Sequence, residues 1–266
     1  MKKIGIVGCG VIGQALLAAQ ESGKLTLPII GVTNRTEKNA KLFLSTLDNP
    51  PQYFSREELI DKSDLIVEAA SGSIVPQLAM DTFLAGKDLM IISIGALIEN
   101  PEIISLAKEK QCKIYAPSGA IAGLDGIKSA SMGEIYSVSM TTRKPLDALE
   151  GSPYLVEKGV SVLKFKEEQE IFSGSARDAC IGFPANINVS AAVSFAGIGP
   201  DKTKIRIFAV PNLKRNCHEV EVEGEFGSLK INIENIPTEN PRTGRLTIMS
   251  IIKTLEGLED SLQIGT

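Results

Sequence analysis

At 266 residues the chain has room for one large domain or two modest ones, each able to bury its own core. With 43% hydrophobic and 23% charged residues the composition is that of an ordinary globular protein, and the net charge of −4 is spread without long runs. Neither nucleic acid nor an anionic membrane is indicated as a partner.

Lys3-Ile4-Gly5-Ile6-Val7 reads as a short buried strand. Met1-Lys2-Lys3 before it has the look of a secretory leader, but the apolar run is too short and glycine-broken for one. No stretch is long enough to span a bilayer. Gly8-Cys9-Gly10-Val11-Ile12-Gly13 matches G-x-G-x-x-G in full, and Val11 to Gln20 continues as a helix with apolar Val11, Ile12, Ala15, Leu16 and Ala19. Strand, glycine turn and helix start form the fingerprint of a dinucleotide site. Gly8 permits the tight turn, Gly10 lets a pyrophosphate approach the backbone, and Gly13 lets helix and strand pack closely. The N–H groups of the turn and helix start meet the phosphates. The second strand, Leu27 to Thr33, ends in Asn34-Arg35-Thr36 without the carboxylate that would hold a ribose diol in an NAD-selective site. Arg35 is placed to meet a 2′-phosphate, with Asn34 beside it. A solvated arginine at a helix start fits the same position. Both NADP and NAD are therefore candidate cofactors.

Thr36 to Leu47 reads as a helix, Pro50-Pro51 as a break, and Ser55-Arg56-Glu57-Glu58 as a capped helix start. Asp64 to Glu68 is a third buried strand, opening into Ala69-Ala70-Ser71-Gly72. Ala70 and Ser71 stand where small residues let a cofactor pass the strand ends. A helix over Val75 to Ala85, a strand over Asp88 to Ile92, a helix over Pro101 to Lys110 and a strand over Lys113 to Ala116 complete the alternation. The expected fold is α/β, a doubly wound parallel sheet of the Rossmann kind. Ser118 to Gly126 is too glycine-rich for a helix core and reads as a crossing. Strands are expected over Ile135 to Thr142, Lys204 to Val210, His218 to Glu223 and Phe226 to Glu234. Helices are expected over Val189 to Val193 and Leu246 to Leu255. Cys9, Cys112, Cys180 and Cys217 lie far apart with no C-x-x-C pair, so neither a zinc site nor a disulfide framework is read, and a reducing cytoplasm fits.

Seven stretches together resemble the L-aspartate dehydrogenase family. They are Gly8 to Gly13, Ser93 to Leu97, Pro117 to Asp125, Gly174 to Ala179, Phe183 to Val189, Arg215 to Val220 and Asn240 to Thr243. The resemblance implies a dinucleotide-binding domain over 1–117, a mixed α/β catalytic domain over 118–240, and a last helix within 241–266 that returns to the first domain. It implies oxidation of L-aspartate with NAD or NADP to iminoaspartate, then oxaloacetate and ammonia. Some members supply iminoaspartate for pyridine nucleotide synthesis. The expected assembly is a homo-oligomer, a homodimer. Family cofactor contacts fall on Ala120 and on one of Asn186 and Asn188, and the catalytic histidine falls on His218.

His218 is the only histidine, and on its own a strand histidine is as well explained by structure. Arg177, Arg143 and Lys144 are each able to pair a substrate carboxylate or to sit on a solvated surface. One of Asn186 and Asn188 can cap the helix that follows. Cys217 and His218 point to opposite faces of a strand, which excludes a Cys–His nucleophilic pair. No metal-ligand cluster is read. Two other functions fit the motifs. One is another NAD(P)-dependent reductase of a carboxylic acid, and the other is a nucleotide-sensing protein without turnover.

Overall fold

A computed structural model describes residues 1–184, 188–236 and 244–265. The chain divides into two compact units, Met1–Pro117 with Ile248–Gln263, and Ser118–Thr247 with Ile264–Thr266.

The first unit alternates strand and helix. Its elements are β1 (Ile4–Val7), α1 (Val11–Glu21), β2 (Ile29–Thr33), α2 (Glu37–Leu44), β3 (Gln52–Tyr53), α3 (Arg56–Lys62), β4 (Leu65–Glu68), α4 (Val75–Leu84), β5 (Asp88–Ile91), α5 (Ala96–Glu99), α6 (Glu102–Glu109) and β6 (Ile114–Tyr115). The strands form one sheet in the order β3-β2-β1-β4-β5-β6, all pairs parallel. This is the Rossmann order, which places the ligand crevice beyond the carboxyl ends of β1 and β4. All four residues of β1 and of β4 are buried, as expected of strands covered on both faces. Ser55 caps α3 through a capping box: its hydroxyl accepts from the Glu58 N–H at 3.2 Å, and Glu58 returns the bond to the Ser55 N–H at 3.0 Å.

Edge strand β3 is not among the sequence expectations. Two residues after a proline pair carry no periodicity, and only pairing with Gly31 and Val32 of β2 makes them a strand.

The second unit contains α7 (Leu124–Ala130), β7 (Ile135–Pro145), α8 (Leu146–Leu149), α9 (Pro153–Glu157), β8 (Gln169–Ser175), α10 (Ala176–Gly182), α11 (Asn188–Ala196), β9 (Lys204–Val210), β10 (Asn216–Gly224) and β11 (Gly227–Asn235). Its sheet is mixed, in the order β11-β10-β7-β9-β8, with β7 and β9 parallel and the other pairs antiparallel. The glycine-rich stretch read as a crossing turns into α7 at Leu124, and the helix runs through Gly126. The reason is tertiary. Gly123, at φ +74°, lies so close to β11 that a Cβ there would stand 2.3 Å from the Ile231 side chain, while Ile127 is fully buried. Close packing against the sheet outweighs the low helix propensity of glycine.

The last helix, α12 (Arg245–Glu256), supplies Ile251 and Leu255 to the apolar core of the first unit, both fully buried. Glu256 holds it there by accepting from the Thr26 N–H at 2.6 Å and the Thr26 hydroxyl at 3.0 Å.

Candidate active site

In the first unit the three glycines of the turn differ in what surrounds them. Gly8 has φ +111°, and a Cβ on it would stand 2.5 Å from the Ala69 carbonyl oxygen at the end of β4. A Cβ on Gly13 would stand 2.1 Å from the Gly8 carbonyl, so α1 packs backbone to backbone on the turn. Around Gly10 there is nothing within 4 Å of a Cβ position. That open space adjoins the N-terminus of α1, where no side chain caps the first turn. The N–H groups of Val11, Ile12 and Gly13 have no partner within the helix, and the helix dipole adds positive potential. The cradle fits a dinucleotide pyrophosphate.

Asn34 is brought to this turn from the end of β2. Its Oδ1 accepts from the Cys9 N–H at 3.1 Å and its Nδ2 donates to the Thr36 carbonyl at 3.0 Å, so both ends of the amide fix the chain. The Tyr53 hydroxyl of β3 donates to the Asn34 carbonyl at 3.1 Å. Asn34 thereby shapes the turn as well as flanking it. Arg35 is exposed in the β2–α2 connection. Ala70 and Ser71 are exposed just past β4, and the Ser71 hydroxyl lies 2.9 Å from that of Ser73.

Glu68 is a buried anchor at the crevice edge that the sequence does not single out. Its fully buried carboxylate accepts from the N–H groups of Ala70 at 2.8 Å, Ile92 at 3.2 Å and Ser93 at 2.8 Å, and from the Ser93 hydroxyl at 3.2 Å. Four charge-assisted bonds offset the desolvation of the carboxylate and lock together the loops after β4 and β5 at the crevice edge. The available signal was a carboxylate ending an otherwise apolar strand.

In the second unit the inward face of the sheet changes character along β7 and β10. Val138 and Met140 of β7 face Val222 and Val220 of β10, an apolar core. Next along the same face, Thr142 stands opposite His218, and one step further lie Lys144 and Asn216. Asn235 of β11 pairs with Asn216 in register and donates to the Ala120 carbonyl at 2.8 Å. All five of these polar residues are no more than 4% exposed. Buried polar side chains are costly, and their concentration at one end of one face marks a site. Asn188 is the half-buried first residue of α11, while Asn186 lies outside the described residues.

His218 Nδ1 lies 3.1 Å from the Thr142 hydroxyl. Burial, with the charge of Lys144 added, pushes the imidazole pKa down to about 3. The imidazole is thus neutral across the physiological range in the protein alone, rather than poised near its ordinary value. Cys217 points to the other face and is half-buried, and burial pushes its thiol up, so it supplies no thiolate beside His218.

The three candidate carboxylate binders separate. Arg177 in α10 is held by the Asp201 carboxylate, at 2.6 Å from Nε and 3.0 Å from Nη2, on a partly exposed surface. Arg143 lies on the opposite face of the sheet from His218, within 2.9 Å of Glu168 and 3.5 Å of Glu219 and over the Phe208 ring. Only Lys144 shares the inward face.

A parallel sheet with an open glycine cradle, carried in one chain with a buried histidine site, defines an oxidoreductase that takes a nicotinamide dinucleotide. Residues 8–117 match the family described as homoserine dehydrogenase, NAD binding domain, and residues 125–258 match aspartate dehydrogenase, C-terminal. The L-aspartate dehydrogenase of Methanosarcina mazei is 43% identical over 271 residues, covering both chains completely. That of Bradyrhizobium diazoefficiens is 38% identical, covering 99% of this chain and 94% of its own. Among solved structures, aspartate dehydrogenase from Thermotoga maritima superposes with a TM-score of 0.77 at 25% identity over the whole of both chains. The chain belongs to the L-aspartate dehydrogenase family.

Proposed function

We propose that the chain oxidises L-aspartate with NAD or NADP, yielding iminoaspartate and then oxaloacetate and ammonia, and runs the reverse reaction. The observation that carries this reading is the buried polar face around His218, in a chain that matches L-aspartate dehydrogenases from end to end. When bound, the nicotinamide supplies the acceptor for the hydride that leaves the substrate Cα.

Hydride can leave only when the neighbouring nitrogen offers a lone pair, so the substrate ammonium must first lose a proton. His218 starts neutral, the form that accepts one. In the tautomer whose Nδ1–H donates to the Thr142 hydroxyl, Nε2 is the free base. The negative charge of the substrate's carboxylates offsets the Lys144 cation and the burial, raising the imidazole's basicity when substrate is present. The protonated imidazole then returns its proton as water adds to the imine carbon and ammonia departs. Glu68 and Asn34 hold the dinucleotide side of the chemistry by fixing the loops around the glycine turn.

We assign coenzyme choice to Arg35. Replacing it with alanine is expected to weaken NADP binding about tenfold or more and leave NAD nearly unchanged, because one charge-assisted bond is worth roughly 1.5–3 kcal/mol. Titration of the two reduced coenzymes by fluorescence checks this, and equal losses would remove Arg35 from the role.

Substrate choice tests the reading as a whole. A site that pairs a side-chain carboxylate leaves its buried donors unpaired with alanine, so kcat/KM for aspartate should exceed that for alanine by at least about 10⁴. Similar values for the two amino acids would defeat the assignment. Among the described residues no helix is long and apolar enough to cross a membrane. The four cysteines are free thiols, which fits a reducing, cytoplasmic setting.

A further inference from the structure

We propose that Lys144 is the residue that receives a carboxylate of the substrate in the second unit. This rests on the aspartate reading and adds to it the group that recognises the acid.

Lys144 is 4% exposed and is the only buried lysine or arginine among the described residues. A strand usually turns such a side chain to solvent, and the neighbouring Arg143 does so, where Glu168 and Glu219 meet it. The pleat sends Lys144 the other way. It follows Thr142 by two residues on β7, and Thr142 is the register partner of His218, so Lys144 is the diagonal neighbour of the imidazole. Diagonal pairs of this kind stand about 7–8 Å apart, within reach of long side chains, so the lysine and the imidazole can address one functional group together. The lysine charge reaches the imidazole strongly enough to help hold it neutral. An anion entering beside both would meet the lysine charge and restore the histidine's basicity together. Of the groups aspartate carries, its carboxylates have that charge. Lys144 thereby makes acid–base competence of His218 depend on having an acidic substrate in place.

The test measures kcat and KM for L-aspartate, L-asparagine and L-isoasparagine with saturating dinucleotide, on the wild-type chain, K144M and K144R. Calorimetric titration with L-aspartate gives Kd independently of turnover. K144M is expected to raise the KM and Kd for aspartate about 10- to 100-fold, with kcat falling less than KM rises, and K144R to recover most of the loss. If the side-chain carboxylate is the one received, the KM for asparagine is unmoved by K144M. If the α-carboxylate is received, that for isoasparagine is unmoved, and either pattern supports the proposal.

A folded K144M with KM and Kd for aspartate within twofold of wild type would overturn it. So would a loss shared equally by all three substrates and not recovered by K144R. K144Q repeats the measurement with a polar side chain should K144M fail to fold. Wild-type chain that binds aspartate without oxidising it would contradict the proposed function, while the variants' Kd would still judge Lys144.

Discussion

Replacing His218 with alanine is expected to lower kcat with L-aspartate by about 10²–10⁴, the range general acid–base catalysis supplies. The chain has a single imidazole, and it stands on the polar end of the second sheet with Thr142 at 3.1 Å from Nδ1. Dinucleotide affinity should change little, since the glycine cradle belongs to the first unit.

Acid stability separates lost chemistry from lost fold. The imidazole pKa is pushed down to about 3 in the folded chain, against about 6.5 when unfolded. Between those values the unfolded chain binds the extra proton, so wild-type stability falls as pH drops from about 6.5 toward 3. The slope from this one group is about 1.4 kcal/mol per pH unit. His218→Ala should lose this contribution, with a flatter acid limb in thermal melts at several pH values. A folded variant that keeps kcat within a few-fold of wild type would remove His218 from catalysis.

Gly10→Ala is the second large effect expected, and it falls on binding alone. Nothing lies within 4 Å of the added methyl, and the Gly10 φ of −90° suits any residue, so the melting temperature should stay within a degree or two. The methyl occupies the space through which a pyrophosphate reaches the helix N-terminus. Losing one or more charge-assisted bonds there should weaken NAD and NADP alike by tenfold to over a hundredfold. Gly13→Ala makes the contrast, because its Cβ would stand 2.1 Å from the Gly8 carbonyl and the turn itself must shift. That variant should lose stability as well as affinity. Unchanged dinucleotide affinity in Gly10→Ala would show that the cradle is not where the phosphates sit.

The parts of this molecule that are legible in its sequence are those set by local rules. Gly8, Gly10 and Gly13 sit in a motif whose spacing is itself a backbone constraint, and Lys204 to Val210 alternates cleanly enough to give the bounds of β9. Illegible parts depend on what the fold brings together. Glu68 reads as the end of a strand until donors from 24 and 25 residues away converge on it. Lys144 and Arg143 look equivalent in sequence, and only the burial of one sheet face tells them apart. Gly126 argues against a helix that packing on β11 nevertheless forms. The titration state of His218 is likewise a property of its surroundings, so the sequence yields the residue and not its neutral form.

The most direct measurement is to mix the purified chain with L-aspartate and either NAD⁺ or NADP⁺, and to follow absorbance of the reduced nicotinamide together with ammonia release. One reduced nicotinamide and one ammonia per aspartate consumed, with at least one of the two coenzymes, is the predicted result. Tight dinucleotide binding with no nicotinamide reduction at any aspartate concentration would contradict it.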